Sequence, residues 1–142
     1  MLLHQAVRSG QRKLVEQLLA KGTDVNAKDR WDWSLLHYAE GNVDLTRLLL
    51  DKGANPNAET ASGQTPLHLA ADKGRKAEVE LLISRGAAVN AKNYYGRTPL
   101  SYAEDLGSND MYGRPRATPL TIEAKSAKTE VAELLRKHGA KE

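Results

Sequence analysis

The sequence predicts an all-α protein built as a solenoid of repeated helix pairs, and three observations lead to this prediction. The 142 residues include 20 Leu and 19 Ala but only seven Val, two Ile and no Phe. Long unbranched side chains and Ala lose little freedom in a helix, whereas β-branched residues favour strands. The other two observations are short markers that recur along the chain with one shared period of about 33 residues.

The first marker is a glycine after a leucine-rich segment. It occurs four times, at Gly22, Gly53, Gly86 and Gly139. The successive spacings are 31, 33 and 53 residues. The second marker follows a leucine at spacings of 33, 31 and 33 residues, and its four positions are His4, His37, His68 and Ser101. Two markers in step indicate a repeated structural unit.

Each unit has the features of two short helices followed by an extended turn. Thr65 and Thr98 are suited to N-capping, and the proline after each is tolerated at the first helical position. Small residues stand where we expect neighbouring helices to approach closely, at Ala6, Ala39, Ala70 and Ala103. The second helices carry apolar residues on one face only. Stacking of units must therefore supply the core.

These motifs resemble the ankyrin repeat family. Residues 65–70 and 98–103 have the sequences T-P-L-H-L-A and T-P-L-S-Y-A, and residues 53–58 and 86–91 have G-A-N-P-N-A and G-A-A-V-N-A. The resemblance covers essentially the whole chain except a segment near 107–126. It implies an ankyrin-type helix-turn-helix solenoid with β-hairpin-like loops. It also implies that a protein partner binds through the hairpin tips and the concave face of the first helices.

We place about four repeats in a single domain, at 1–28, 29–59, 60–92 and 93–142. Repeat two is irregular, because Ser34 replaces the capping Thr and Asp32 stands where the family usually has Gly. Ser can cap a helix, and Asp tolerates a left-handed conformation better than most residues. Repeat two is also two residues short near Gly41, so we expect a tighter turn there.

The last repeat contains an insertion of about 20 residues, near 107–126. In one interpretation this loop separates the two helices of repeat four, and the second helix starts early, near Pro119. In the other, Thr118 caps the first helix of a degenerate fifth repeat. Glu123 disfavours the fifth repeat because a small residue is needed at that position for close packing. We therefore favour the insertion.

Composition excludes several classes of function. Residues 1–110 carry 14 basic and 14 acidic residues, so the net charge of +3 arises in 111–142. A nucleic-acid surface needs a denser basic stripe, and no apolar run is long enough to span a membrane. The chain has no Cys, which removes disulfides and thiolate sites. We expect a cytoplasmic monomer that binds neither nucleic acid nor membrane.

No catalytic or cofactor motif is present, so we expect neither an enzyme nor a metal or cofactor site. Glu104, Asp105 and Asp110 are interpreted as a solvated loop rim. The three repeated histidines lie about 10 Å apart along a stack, too far for one metal ion. The resemblance implies that they hydrogen-bond backbone between repeats. The hairpin residues Asn26, Asn57 and Asn90 are expected to bond within their own turns.

The aromatic residues are the best candidates for partner binding. Trp and Tyr offer large contact areas at small entropic cost, and several lie in predicted hairpins or on first helices. Met111, Pro115 and Arg116 of the insertion could add to an anchor-plus-charge contact. The full set of predicted contact residues is Arg30, Trp31, Trp33, Tyr38, Gln64, Asp72, Lys73, Tyr94, Tyr95, Arg97, Tyr102, Tyr112 and Arg114.

Three functions are consistent with this pattern. The first is a non-catalytic protein-interaction module that uses hairpin tips and first helices. The second is a regulatory or immunity-type subunit that contacts an enzyme through the 107–126 loop. The third is a small-molecule enzyme, which would need a pocket under that loop. The sequence favours the first.

Overall fold

The computed structural model describes residues 2–107 and 109–141, which form eight α-helices. In chain order these are α1 (Leu2–Arg8), α2 (Arg12–Ala20), α3 (Leu35–Tyr38), α4 (Val43–Asp51), α5 (Pro66–Asp72), α6 (Lys76–Ser84), α7 (Pro99–Glu104) and α8 (Ile122–Lys137). No strand occurs in these ranges, where only single β-bridges join Lys28 to Ser34 and Asn109 to Pro115. The predicted all-α class is confirmed. Among the helices of the described residues, none combines the length and the apolar composition that a membrane span requires.

The helices form two rows. Helices α1, α3, α5 and α7 contact one another in succession, and α4, α6 and α8 form a second row beside them. The core lies between the rows and contains fully buried leucines from both: Leu35, Leu49, Leu67, Leu82, Leu100 and Leu135. The predicted small positions are confirmed, since Ala6, Ala39, Ala70 and Ala103 are at most 2% exposed. Stacking therefore buries the apolar faces that no single pair could cover.

The predicted helix caps are confirmed in the first-helix row. The hydroxyls of Thr65 and Thr98 accept hydrogen bonds from the backbone amides three residues later, and Ser34 forms a capping box with His37. The predicted start of the last helix near Pro119 is wrong. Helix α8 begins at Ile122, because Thr121 accepts a hydrogen bond from the Ala124 amide. Residues 117–120 are not helical.

The shortening of repeat two is compensated from the next repeat. Helix α3 has only four residues, and Asp32 adopts the expected left-handed conformation with φ 61°. Glu78 of α6 is buried and accepts hydrogen bonds from the Gly41 amide and the Thr46 hydroxyl. Burial raises the pKa of Glu78, although these two bonds oppose the rise. The Glu78 carboxylate thus provides hydrogen-bond acceptors for the Gly41 amide and the Thr46 hydroxyl at the shortened turn.

Each hairpin asparagine bridges its repeat to the next, so the prediction of bonds within one turn is wrong. The amide group of Asn57 donates to the Gly86 carbonyl at 3.1 Å and accepts from the Ala88 amide at 2.7 Å. Asn26 makes the same pair of bonds to Gly53 and Asn55. The asparagine side chain extends towards the next repeat because a backbone carbonyl and a backbone amide of that repeat lie close together there.

The third asparagine continues this series to the end of the chain. Asn90 donates to the Gly139 carbonyl and accepts from the Lys141 amide. Gly139 therefore occupies the place that Gly53 and Gly86 hold in earlier repeats. The C-terminal part of α8 is in register as the second helix of the last pair, despite the long segment that precedes it.

Two histidines also join neighbouring repeats, as the resemblance implies. The Nε2 atom of His37 contacts the Gln64 carbonyl at 2.8 Å, and that of His68 contacts the Arg97 carbonyl at 3.0 Å. The Ser34 amide donates to Nδ1 of His37, so the proton of the neutral ring belongs on Nε2. Burial lowers the pKa of His37 to about 4. His4 is buried too, but its ring nitrogens have no partner among the described residues.

Substitution of Asn57 by Ala tests the bridge between repeats. We expect the Asn57→Ala variant to lose about 1–2 kcal/mol of unfolding free energy, because two backbone groups of the next repeat lose their partner. Urea unfolding measures this loss. The matched control is Gln17→Ala, which removes an exposed amide from α2 and should change stability by less than about 0.5 kcal/mol. Equal effects of the two variants would contradict the bridging role.

The pH dependence of stability tests the His37 contact. The folded-state pKa of about 4 lies below the usual 6.5, so the unfolded chain binds more protons between these values. Stability should therefore be complete above pH 6.5 and fall as the pH drops towards 4. The expected loss from this residue is about 2 kcal/mol at pH 5.

Urea unfolding at pH 7 and pH 5 measures this slope. His37→Gln should be less stable than the parent at pH 7 but lose less stability on acidification. His138→Gln, at an exposed position, serves as the control and should keep the parental slope. A parental slope in His37→Gln would show that another group titrates.

Candidate functional site

The hairpins end in five-residue turns that we call fingers. Finger one is 29–33, finger two is 60–64 and finger three is 93–97. In each, a side-chain oxygen of the first residue accepts hydrogen bonds from the third and fifth backbone amides, as Asp29 does from Trp31 and Trp33. Thr60 and Asn93 do the same in the other two. This side chain fixes the finger and the direction of its tip.

The insertion contains a fourth turn of the same construction, finger four, at 110–114. Asp110 accepts hydrogen bonds from the Tyr112 and Arg114 amides, and its own amide donates to the Arg114 carbonyl. Gly113 has φ 78°, close to the 76° of Gly96 in finger three. Sequence reasoning missed this element. The signal was present, since D-M-Y-G-R at 110–114 follows the pattern of N-Y-Y-G-R at 93–97.

Finger four folds back onto the first-helix row. Met111 is buried and packs with Leu69 of α5 and Tyr102 of α7, and Trp33 lies against this cluster. The Tyr102 hydroxyl donates to the Met111 carbonyl at 3.0 Å and accepts from the side-chain amides of Gln64 and Asn93. One buried phenol thus fastens fingers two, three and four together.

This arrangement corrects three predicted contact residues. Gln64, Asp72 and Tyr102 are buried, so their side chains cannot form part of an exposed surface. Gln64 and Tyr102 hold the fingers. Asp72 lies within 3.5 Å of the Lys128 ammonium and 3.8 Å of the Arg116 guanidinium, inside the protein.

Lys128 anchors the extra length of α8 in the interior. Its side chain is 1% exposed, and its ammonium group donates to the Asp105 carbonyl at 2.7 Å. Burial lowers the pKa of Lys128, while Asp72 opposes this shift. Together these contacts fix both ends of the inserted segment, because Asp105 precedes it and Lys128 follows it.

An open groove lies beside finger four, and we call it the aromatic groove. It consists of two adjoining cavities of about 720 and 430 Å³ that share Arg8, Trp31 and Tyr38. The larger cavity is further lined by Trp33, His37, Glu40, Thr60, Ala61, Ser62 and Tyr112, and the smaller by His4, Gln5, Lys28, Asp29 and Arg30. Fingers one and four thus form walls of one groove.

The aromatic wall is held in place by specific contacts. The Trp33 ring lies 5.2 Å from that of Tyr38, centre to centre, and the Arg30 guanidinium stacks 4.1 Å over Trp31. The Tyr38 hydroxyl donates to Asp29. Burial and this bond raise the pKa of Tyr38. Burial would raise the pKa of Asp29, but hydrogen bonds from Tyr38, Trp33 and Trp31 outweigh it and lower that pKa. The pair therefore stays a phenol and a carboxylate near neutral pH.

The other predicted contact residues lie around this groove or on the fingers, except Lys73, which follows α5 at its C-terminal end. Tyr94 and Tyr95, at the tip of finger three, are 72% and 62% exposed. Lys73 and Arg114 are exposed, whereas Arg97 is held by Asp105 and stacks over Tyr102. Sequence reasoning missed Arg8, which lies in both cavities. Its helical position carries no signal, because only tertiary structure places α1 beside finger one.

No group of three His, Asp or Glu side chains within 2–107 and 109–141 is arranged to hold a metal ion. The acidic residues Glu104, Asp105 and Asp110 each pair with an arginine. Their arrangement is that of separate ion pairs.

Replacing Tyr102 by Phe tests how finger four is fastened. We expect Tyr102→Phe to lose about 2 kcal/mol of unfolding free energy, because the hydroxyl bonds three buried groups. We also expect faster trypsin cleavage after Arg116, since the inserted segment loosens. Thermal unfolding and limited proteolysis measure these effects. Tyr94→Phe removes a hydroxyl from a highly exposed ring and should change neither quantity. An unchanged cleavage rate in Tyr102→Phe would show that other contacts hold the segment.

Comparisons with known proteins identify the repeats. A family model described as ankyrin repeats (3 copies) matches residues 3–93 and 39–113. The chain is 45% identical over 71 residues to the 2-5A-dependent ribonuclease of Mus musculus, which covers 48% of this chain and 10% of that protein. It is 43% identical over 81 residues to a putative ankyrin repeat-containing protein of Treponema pallidum, covering 55% and 26%.

A third relative is the transient receptor potential cation channel subfamily A member 1 homolog of Caenorhabditis elegans. The identity is 44% over 73 residues, which is 49% of this chain and 6% of that protein. The chain therefore spans about a quarter or less of the length of these three relatives.

Proposed function

The chain belongs to the ankyrin repeat family, whose repeats are generally protein-interaction modules, and on that premise we propose that it is a non-catalytic module that binds a protein partner. The proposed surface combines the finger tips with the aromatic groove on the first-helix side. The match covers only 10% of the ribonuclease named among the relatives, so we do not assign its activity to this chain.

One observation supports this surface above all. The chain has seven aromatic residues of Phe, Trp and Tyr type, and all of them lie on fingers or first helices. Four are largely exposed, at 54% for Trp31, 43% for Tyr112, 72% for Tyr94 and 62% for Tyr95. Large exposed aromatic rings are typical of interface hot spots. A protein that needed these rings only for its core would bury them.

The proposed binding mechanism is preorganisation. The asparagine and histidine bridges hold successive repeats, and the buried Tyr102 hydroxyl holds three fingers. A partner then meets rings that are already in position, so association orders few groups and loses less entropy. In this proposal the module acts as a monomer.

A second candidate is a regulatory or immunity-type subunit that contacts an enzyme through 107–126. It is favoured by finger four, which presents the exposed Tyr112 and Arg114 beside the groove. The two candidates differ in whether finger one or finger four provides most of the binding free energy.

Loss of the groove rings should weaken partner binding. We expect Trp31→Ala with Tyr112→Ala to weaken binding by at least tenfold, since each truncated hot-spot ring costs about 2 kcal/mol. Affinity capture from host lysate followed by mass spectrometry identifies retained proteins, and titration of the purified partner gives the affinity. Ile122→Ala, an exposed apolar residue outside both cavities, is the control and should bind like the parent.

The single variants separate the two candidates. Loss with Trp31→Ala alone supports the finger and first-helix surface, whereas loss with Tyr112→Ala alone supports contact through the insertion. Retention of the partner by the double variant would contradict both. If the parent captures no protein above the background of unmodified resin, the interaction module itself is ruled out for that host.

A further inference from the structure

We propose that the aromatic groove binds an acidic peptide segment, with a partner carboxylate on Arg8 and an apolar side chain against Trp31 and Tyr38. This inference rests on the proposed function and gives the chemistry of the partner. It follows from a comparison of the cations and the carboxylates that line the groove and of the partners that each of them has.

Arg8 is the cation available to a partner. It lies at the C-terminal end of α1 and lines both cavities. It is exposed, and the described part of the chain gives it no hydrogen bond or ion pair. Its positive charge acts to lower the pKa of Tyr38, although burial and Asp29 outweigh this effect and raise that pKa. An unpaired guanidinium beside aromatic rings matches a carboxylate that arrives with an apolar neighbour.

The carboxylates of the groove are, by contrast, already engaged. Asp29 accepts hydrogen bonds from the Tyr38 hydroxyl and from two backbone amides of finger one. Glu40 forms an ion pair with Arg75 of the following repeat. Glu40 is therefore neutralised by its ion pair. The partners of Asp29 are uncharged, so Asp29 keeps one negative charge in the groove.

Two further cations strengthen the preference for an acid. The Lys28 ammonium donates to the backbone carbonyl of Glu59, a neutral group that leaves its charge uncompensated. Arg30 stacks over Trp31, which keeps its charge at the edge of the smaller cavity. The groove therefore presents three cations to which the described residues give no ion pair, against the single charge of Asp29, so its net charge is positive. Such a field attracts and orients an acidic segment.

The shape of the groove favours a peptide. Its two cavities adjoin side by side and total more than a thousand cubic ångströms, so an extended chain of several residues can cross them. Trp31 and Tyr38 line both cavities, so each cavity has aromatic side chains in its wall. Three cations are too few for the phosphate contacts of a nucleic acid.

The test uses three labelled peptides with a Leu-Trp core flanked on each side by two Glu, two Gln or two Lys residues. Fluorescence anisotropy measures their binding to the purified chain at low salt. We expect the Glu peptide to bind at least tenfold more tightly than the Gln peptide, and the Lys peptide most weakly. Raising the salt concentration should reduce this preference.

Charge reversal at Arg8 gives the decisive comparison. Arg8→Glu should remove the preference between the Glu and Lys peptides, because the two remaining cations are then matched by two carboxylates, and Arg8→Gln should reduce it. Lys13→Glu changes the net charge by the same amount at an exposed site on α2 and should keep the parental order. Circular dichroism melting confirms that each variant is folded. Equal effects of Arg8→Glu and Lys13→Glu would overturn the inference, since net charge alone would explain them.

The remaining outcomes separate this inference from the proposed function. If the three peptides bind the parent equally and Trp31→Ala weakens all of them, the groove is the binding surface and the acidic preference is wrong. If none binds, the inference is wrong, and the capture experiment alone decides the proposed function. A groove occupied by a second copy of the chain would give a dimer in sedimentation velocity, and it too would overturn the acidic partner.

Discussion

The structure depends on the side chains that join each repeat to the next. A pair of short helices buries too little apolar surface to be stable alone, so every repeat needs a neighbour in a fixed register. The asparagines provide that register, because Asn26, Asn57 and Asn90 each fill one donor and one acceptor of the following turn. His37 and His68 add a second line of contacts near the N-terminal ends of the first helices. The apolar core between the rows is continuous because these bridges keep its layers aligned.

The same bridges determine what the exposed surface can do. They set the positions of fingers one to three, and finger four joins them through Tyr102 and Met111. The inserted segment therefore covers the first-helix row at Leu69 and Tyr102 and leaves open the part near α1 and α3. Trp31 and Tyr112 line a common groove in this open half of the row, which is the surface proposed for recognition.

Much of this fold could be predicted because its signals are local. The caps at Thr65 and Thr98, the small residues at Ala70 and Ala103, and the left-handed Asp32 all depend on residues within one turn or helix. Finger four was not predicted, since it follows finger three after 17 residues instead of the 33 of the repeat. The burial of Tyr102 and the place of Arg8 were not predicted either. Both depend on which distant segments meet, and no local pattern encodes that.

The insertion changes the first-helix face without disturbing the stack, and its chemistry explains why. Finger four repeats the turn construction of the other fingers, so its backbone amides are satisfied internally by Asp110. Lys128 ties the segment to Asp105 and Asp72, and Asn90 still reaches Gly139 in the ordinary register. The cost of the longer segment is therefore limited mainly to closing a loop, which grows only slowly with length. A repeat protein can in this way acquire a new wall for its groove from its last repeat, while the layers that provide its stability stay as they were.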